Sequence, residues 1–307
     1  MEVKNNPGWL NESHPNFLRW KLARELSIER GKFVYSIVNQ KVNSNNLSVL
    51  DLGSGEGGTS EVFSQNNFVI SLDISLIRLH RQDQTVNSAA GIPSEEIESS
   101  SEKSSTINKD RLLPSLEVTK INCVNGSALQ LPFSNHSFDL IIIQDVIEHL
   151  TNVSDLYSEV KRVLKINGSI YLSTPNKFSI INILNDPHFG LPVVSILKRK
   201  SIKKYFLKHF RKDDYNRSDI AQLFSLYELL NLFKKDFGIS LHTNFSVKEL
   251  FNGNNGIVWS DFHLKLIALC KIIKLDKMLI KIANDKIGVI NKFFTPTFYF
   301  ILNRTGH

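Results

Sequence analysis

Cysteine is scarce in this 307-residue chain. Cys123 and Cys270 are its whole complement, and they form no CxxC pair. A disulfide framework and a cysteine-rich zinc site are thereby excluded. Long hydrophobic runs are also missing, and nothing approaches the roughly 18 apolar residues that a membrane-spanning helix needs. The first twenty residues are polar and broken by Pro7, Gly8 and Pro15, unlike a signal peptide. The basic residues come with no recognisable nucleic-acid-binding module, so no nucleic-acid partner is expected. These absences lead to the expectation of a soluble cytoplasmic protein.

What is present suits an ordinary globular chain. At 42% hydrophobic and 22% charged residues it can bury the core of one large α/β domain. The net charge of +7 is unevenly placed, with Lys198, Arg199, Lys200, Lys203, Lys204, Lys208, Arg211 and Lys212 crowded together. Such a cluster reads first as a solvated helix face. Its second reading is a surface for phosphates, anionic lipid or an acidic substrate.

Periodicity outlines the order of elements. Apolar residues at helical spacing (Leu22, Leu26, Phe33, Ile37) predict a leading helix over Trp20–Val42. Strands are predicted at Leu47–Leu52, Phe68–Leu72, Thr119–Val124, Phe138–Ile143 and Gly168–Ser173. Helices are predicted at Val153–Leu164 and Ser225–Lys235. A sixth strand is expected at Ser240–Phe245 and a terminal one at Phe293–Leu302, where Pro296 would suit a sheet edge. Residues 1–46 read as an N-terminal helical lid and 47–307 as the main domain. Within the latter, 82–117 is polar and serine-rich and reads as a flexible insertion. Residues 176–222 read as an acceptor-side insertion, and 251–292 as a helical insertion before the last strand. Alternating strands and helices argue for an α/β fold with a doubly wound, mostly parallel sheet, here of seven strands. Ligands of such sheets bind beyond the carboxyl ends of the strands.

The strongest local signal is Asp51-Leu-Gly53-Ser-Gly55-Glu-Gly57-Gly58, where a strand meets a helix. Glycines there permit positive φ and close backbone approach to a ligand. Gly53, Gly55 and Gly58 also satisfy the dinucleotide pattern GxGxxG, and Asp73 stands where either reading wants a ribose-binding carboxylate. Asp51 separates the two. A carboxylate beside the loop can organise it and attract a cationic ligand, whereas a pyrophosphate would be poorly served by Asp51 and Glu56.

Four segments in register carry a family resemblance: Val49–Gly57, Gly126–Phe133, Phe138–Leu150 and Val163–Gly168. From about Val49 to Pro175 the chain resembles the class I S-adenosylmethionine-dependent methyltransferases, close to the ubiquinone-pathway type. The resemblance implies S-adenosylmethionine as cofactor and a Rossmann-like fold. It implies that Asp51 organises the loop and that Gly53, Gly55 and Gly57 line the methionyl portion. Asp73 would then hold the ribose hydroxyls, Ile74 would pack on adenine, Ser127 and Ala128 would sit at the adenine edge, and Gln144 would lie beneath the methionyl group. Two positions depart from the usual pattern. Ser127 stands where the family often has an acid, and Asn167 where it often has Pro or Gly.

Acceptor chemistry is expected after the fourth strand, at Gln144-Asp145-Val-Ile-Glu148-His149. Asp145, Glu148 and His149 could share a helix face as a metal set, a base or mere structural contacts. His149 is taken as general base with Asp145 beside it, and no metal is assigned. Asp186 and His188 form a second candidate group, or else a simple turn. Trp9, His14, Phe17 and Trp20 could make an aromatic lid. The basic stretch 198–212 and the apolar, lysine-dotted Leu264–Ile282 bring in peripheral membrane contact as a further reading. The activity expected is O-methylation of a small molecule, lipid or glycan. The alternatives are an NAD-dependent oxidoreductase on a related sheet and a non-catalytic cofactor-binding relative.

Overall fold

The computed structural model describes residues 17–80, 82, 121–215, 220–254 and 261–305. The strands are β1 (Ser48–Leu52), β2 (Phe68–Asp73), β3 (Asn122–Asn125), β4 (Phe138–Gln144), β5 (Leu164–Pro175), β6 (Phe237–Leu241) and β7 (Thr297–Arg304). They form one seven-stranded sheet in the order β3-β2-β1-β4-β5-β7-β6, parallel except for β7, which runs antiparallel to both neighbours. This is the expected doubly wound sheet. The order reverses at β1, and β1 and β4 open a crevice at their carboxyl ends.

Side-chain alternation explains why the central strands are continuously apolar. Leu50, Leu52, Ile141, Ile143, Leu172, Phe298 and Phe300 face one core. Val49, Leu140, Ile142, Tyr171, Tyr299 and Ile301 face the other. Both faces are covered, so both sets of positions must be apolar. The first core is closed by α4 (Val153–Val163) and α5 (Leu226–Phe233). The first of these is capped by Asn152, and the second by a Ser225/Glu228 capping box. The second core is closed from the N-terminal side by α2 (Ser27–Val38), which follows α1 (Phe17–Glu25), and by α3 (Gly58–Ser64). Here α2 and α3 approach backbone to backbone, for a Cβ on Gly31 would lie 2.5 Å from the Gly58 carbonyl oxygen.

Several boundaries differ from expectation. The leading helix is broken into α1 and α2. The sixth strand is Phe237–Leu241, and Thr243–Asn252 is a helix (α6), so the apolar run at 240–245 crosses a strand-to-helix junction. The last strand begins at Thr297 after a π-helical turn, Ile290–Phe294. Pro296 therefore precedes it, and β7 lies inside the sheet, between β5 and β6. The Pro296 carbonyl instead accepts the Asn176 N–H at 2.9 Å. Asn167 adopts φ +70°, a left-handed turn that Asn tolerates well. Two further helices, α7 (Asp261–Ile272) and α8 (Leu275–Ile282), occupy the stretch read as a helical insertion. The segment read as a flexible insertion lies outside the described residues except for Gln82. That residue is buried and bonded to the glycine loop, so the boundary falls after it.

Candidate active site

A cleft of about 590 Å³ opens at the carboxyl ends of β1, β2 and β4. Its floor is the glycine loop. Gly53, Gly55 and Gly57 all have positive φ (+75°, +57° and +81°), and a Cβ at Gly53 would come within 2.4 Å of Val146. The loop is held down by two backbone N–H groups, of Gly53 and Ser54, donated to the Leu72 carbonyl at 2.7 and 3.1 Å. Only glycine meets both demands at Gly53.

Asp73, at the end of β2, is 4% exposed. Its Oδ2 accepts the Gly55 N–H at 3.0 Å and its Oδ1 the Ser75 N–H at 2.8 Å. Next to it Ile74 is 80% exposed, an apolar shelf at the cleft mouth. Ser127 and Ala128 line the same end, and the Ser127 Oγ accepts the Leu129 N–H. Gln144 lies opposite, its Oε1 taking the Thr59 hydroxyl at 3.0 Å.

Asp51 is engaged behind the loop. Its Oδ2 accepts from Ser60 Oγ at 2.6 Å, Ser60 meets Ser71 at 2.9 Å, and Ser71 donates to Gln82 Oε1 at 2.6 Å. The amide of Gln82 then donates to Gly55 O and Ser54 Oγ. Burial raises the Asp51 carboxyl to about 6, with the charge of Asp73 adding to the effect.

The other half of the cleft is assembled from distant segments. Asp145 has φ +55°, receives the Ser173 hydroxyl at 3.3 Å and faces Arg30 of α2. Burial raises its carboxyl to about 6, and the Arg30 guanidinium works against that rise. Ile147–His149 is a short 3₁₀ turn rather than a helix start, so Asp145, Glu148 and His149 do not line up as one helix face. Glu148 points inward and is wholly buried, accepting from Thr174 Oγ1 at 2.9 Å, and burial lifts its carboxyl well above the usual range. His149 turns into the cleft and meets His188 edge to face, ring centres 5.0 Å apart. His188 Nε2 lies 3.8 Å from Glu148 Oε1. Glu148, His149 and His188 offer ligand atoms within 4.8 Å of one another, so this set could also hold a cation.

Asp186 makes an Asx turn to the N–H groups of His188 and Phe189, while its neighbour His188 enters the cleft. The turn is thus present at Asp186, and His188, two residues on, lines the cleft. Arg199, the second residue of the basic cluster, donates to the Glu148 and Leu150 carbonyls and fixes the His149 turn from behind. Of the expected aromatic lid, Trp9 and His14 lie outside the described residues. Sequence reasoning passed over Arg30 and Gln82. Arg30 stands among Glu29 and Lys32 on α2, so its charge alone did not mark it for the cleft.

A family description, methyltransferase domain, matches residues 50–172, which span the glycine loop, Asp73 and the Asp145–His149 turn. Over that stretch, about two-fifths of the chain, it is similar to the class I S-adenosylmethionine-dependent methyltransferases. Among curated methyltransferase relatives, the sarcosine/dimethylglycine N-methyltransferase of Aphanothece halophytica is 30% identical over 129 residues, 41% of this chain and 37% of that one. The demethylmenaquinone methyltransferase of Oceanobacillus iheyensis is 24% identical over 114 residues, 36% of this chain and 48% of that protein. An uncharacterized protein of Methanocaldococcus jannaschii matches at 29% over 182 residues, 58% and 63% of the two chains. The chain thus spans 37–63% of the length of these relatives. Among solved structures, a phosphoethanolamine N-methyltransferase of Haemonchus contortus, in complex with S-adenosyl-L-methionine, shares the fold. Its TM-score is 0.51 at 13% identity, over 98% of this chain and 60% of that one.

Proposed function

We propose that this chain is an enzyme that methylates an oxygen of a small molecule, lipid or glycan, with S-adenosylmethionine as donor. The observation that carries the cofactor reading is the carboxylate of Asp73, buried and bonded into a glycine loop whose three glycines all have positive φ. The residues fit such a ligand. Backbone at Gly53 and Gly55 can approach it without a Cβ, Asp73 can accept from two ribose hydroxyls, and Ile74 gives adenine an apolar shelf. Ser127 and Ala128 would bound the adenine edge and Gln144 the methionyl group. When bound, the cofactor supplies a methyl group on a sulfonium, open to in-line displacement.

What remains for the protein is to orient the acceptor and, where it is a hydroxyl, to take its proton. His149 is the residue we assign to that proton, because its ring lies on the cleft wall with His188 against it. Asp145 would hold Arg30 in place and set the field on that wall. The named relatives include methyltransferases of different acceptors, so the preference for oxygen rests on the imidazole pair. An amine acceptor in its neutral form needs no base.

Calorimetric titration with S-adenosylmethionine, S-adenosylhomocysteine and NAD, repeated on Asp73→Ala, tests the cofactor. Binding of the first two, lost in the variant, is the expected result. Binding of NAD alone would overturn it in favour of an oxidoreductase. No binding of any of the three would favour a non-catalytic relative.

A further inference from the structure

The two basic, apolar stretches of the sequence differ in what they do with their apolar side chains. Around Arg199–Phe210, Ile202 and Leu207 are buried with Phe189, Val194 and Ile220, and Phe206 packs on the same cluster. That stretch leaves Tyr205 and Phe210 exposed but turns most of its apolar side chains inward. The hairpin of α7 and α8 does not. Its turn is Lys271-Ile272-Ile273-Lys274, with Ile272 77% and Ile273 59% exposed, and Leu269 and Met278 half exposed on either flank. None of the residues of α8 is buried. Between Leu264 and Ile282 there are five lysines and a single acid, Asp276, and all five lysines are exposed.

An apolar apex ringed by ammonium groups has one well-matched partner. A second copy of the chain would set lysine against lysine, and a nucleic acid would leave the isoleucines in water. An anionic bilayer takes both, with the ammonium groups at the phosphates and the isoleucines beneath the headgroups. Position agrees as well. The segment carrying the hairpin leaves the sheet after Leu241 of β6 and returns at Thr297 of β7, which pairs with Pro175, so it emerges at the carboxyl end where the cleft opens. We propose that the α7–α8 apex, Ile272 and Ile273 between Lys271 and Lys274, docks the protein on an anionic lipid surface.

The test is sedimentation of the full chain with large unilamellar vesicles of phosphatidylcholine, with and without phosphatidylglycerol. The expected result is pelleting with the anionic vesicles alone, reversed near 1 M salt, where the screening length falls to about 3 Å. Lys271→Gln/Lys274→Gln should partition about 30-fold more weakly, at the usual worth of a basic side chain on such a surface. Ile272→Glu/Ile273→Glu should stay in the supernatant with an unchanged melting temperature. Lys204→Gln/Lys208→Gln, in the other basic stretch, should pellet like wild type. The proposal falls if wild type ignores anionic vesicles or if the isoleucine variant pellets equally. It also falls if light scattering finds a wild-type dimer that this variant makes monomeric, which would assign the apex to a second copy. None of these assays contains cofactor, so their outcome is separate from the methyltransferase reading.

Discussion

Three links join Asp51, Ser60, Ser71 and Gln82, yet the two serines bring only two hydrogens to them. The amide hydrogens of Gln82 already point to Ser54 and Gly55. A proton on Asp51 would complete the chain by reversing the first link, with Asp51 donating to Ser60, and a carboxyl raised to about 6 by burial takes one up as pH falls. Its folded value lies above the unfolded one, so its contribution to stability is full below about pH 3.8 and lost as pH rises through about 6. A rise of that size corresponds to about 3 kcal/mol at most. Asp51→Asn supplies the missing donor at every pH. We expect it to melt a few degrees higher than wild type at pH 8 and near wild type at pH 4, by thermal denaturation. Lower stability at pH 8 would mean that the ionised carboxylate is matched by some other group. In the other half of the cleft, His149→Ala should cut kcat about 100-fold, at the lower end of what general bases contribute, and leave cofactor affinity intact. Equal rates would remove His149 from that role, and His188→Ala would be measured next.

At the scale of elements, the glycine loop is held from behind. Gly31 of α2 sits against the backbone of Gly58 and Thr59, which opens α3 directly after the loop. Gly31→Ala forces two backbones apart, and overpacking of this kind costs about 1–3 kcal/mol. The expected outcome is a lower urea midpoint together with weaker cofactor binding. A loss of stability with unchanged affinity would separate α2 from the loop. This contact, and Arg30 one residue before it, show where sequence reading stops. The loop itself, Asp73 and Gln144 were legible because a strand, a turn and a helix start are written in consecutive residues. Alternation of strands and helices called for a doubly wound, mostly parallel sheet of seven strands, and the sheet has that form. Arg30 and His188 reach the cleft from separate segments, Thr174 backs Glu148 from a third, and nothing local ties them together. The end of β6 was misplaced because Leu241–Phe245 is equally compatible with a strand and with the first turn of α6. Asp145, Glu148 and His149 look like one helix face in sequence. The positive φ of Asp145 and the 3₁₀ turn break that face, and Glu148 and His149 meet His188 of a distant segment instead.

For the molecule as a whole, ligand in the cleft should stabilise everything that builds it. S-adenosylhomocysteine at about 100 times its dissociation constant adds about 2.7 kcal/mol, which for a chain of this size is a rise of several degrees in melting temperature. NAD at the same concentration should add nothing, and a matching rise with NAD would count against the cofactor assignment. The Gly31–Gly58 contact gives that stabilisation a direction. Because α2 carries Arg30 to the cleft and braces the loop, docking of this helix and occupation of the cleft are thermodynamically linked, and linkage is reciprocal. Whatever factor a bound ligand adds to the protection of α2 amides against hydrogen exchange is the factor by which releasing α2 would loosen the ligand. Helix α2 is thereby a reporter of occupancy, readable without knowing the acceptor.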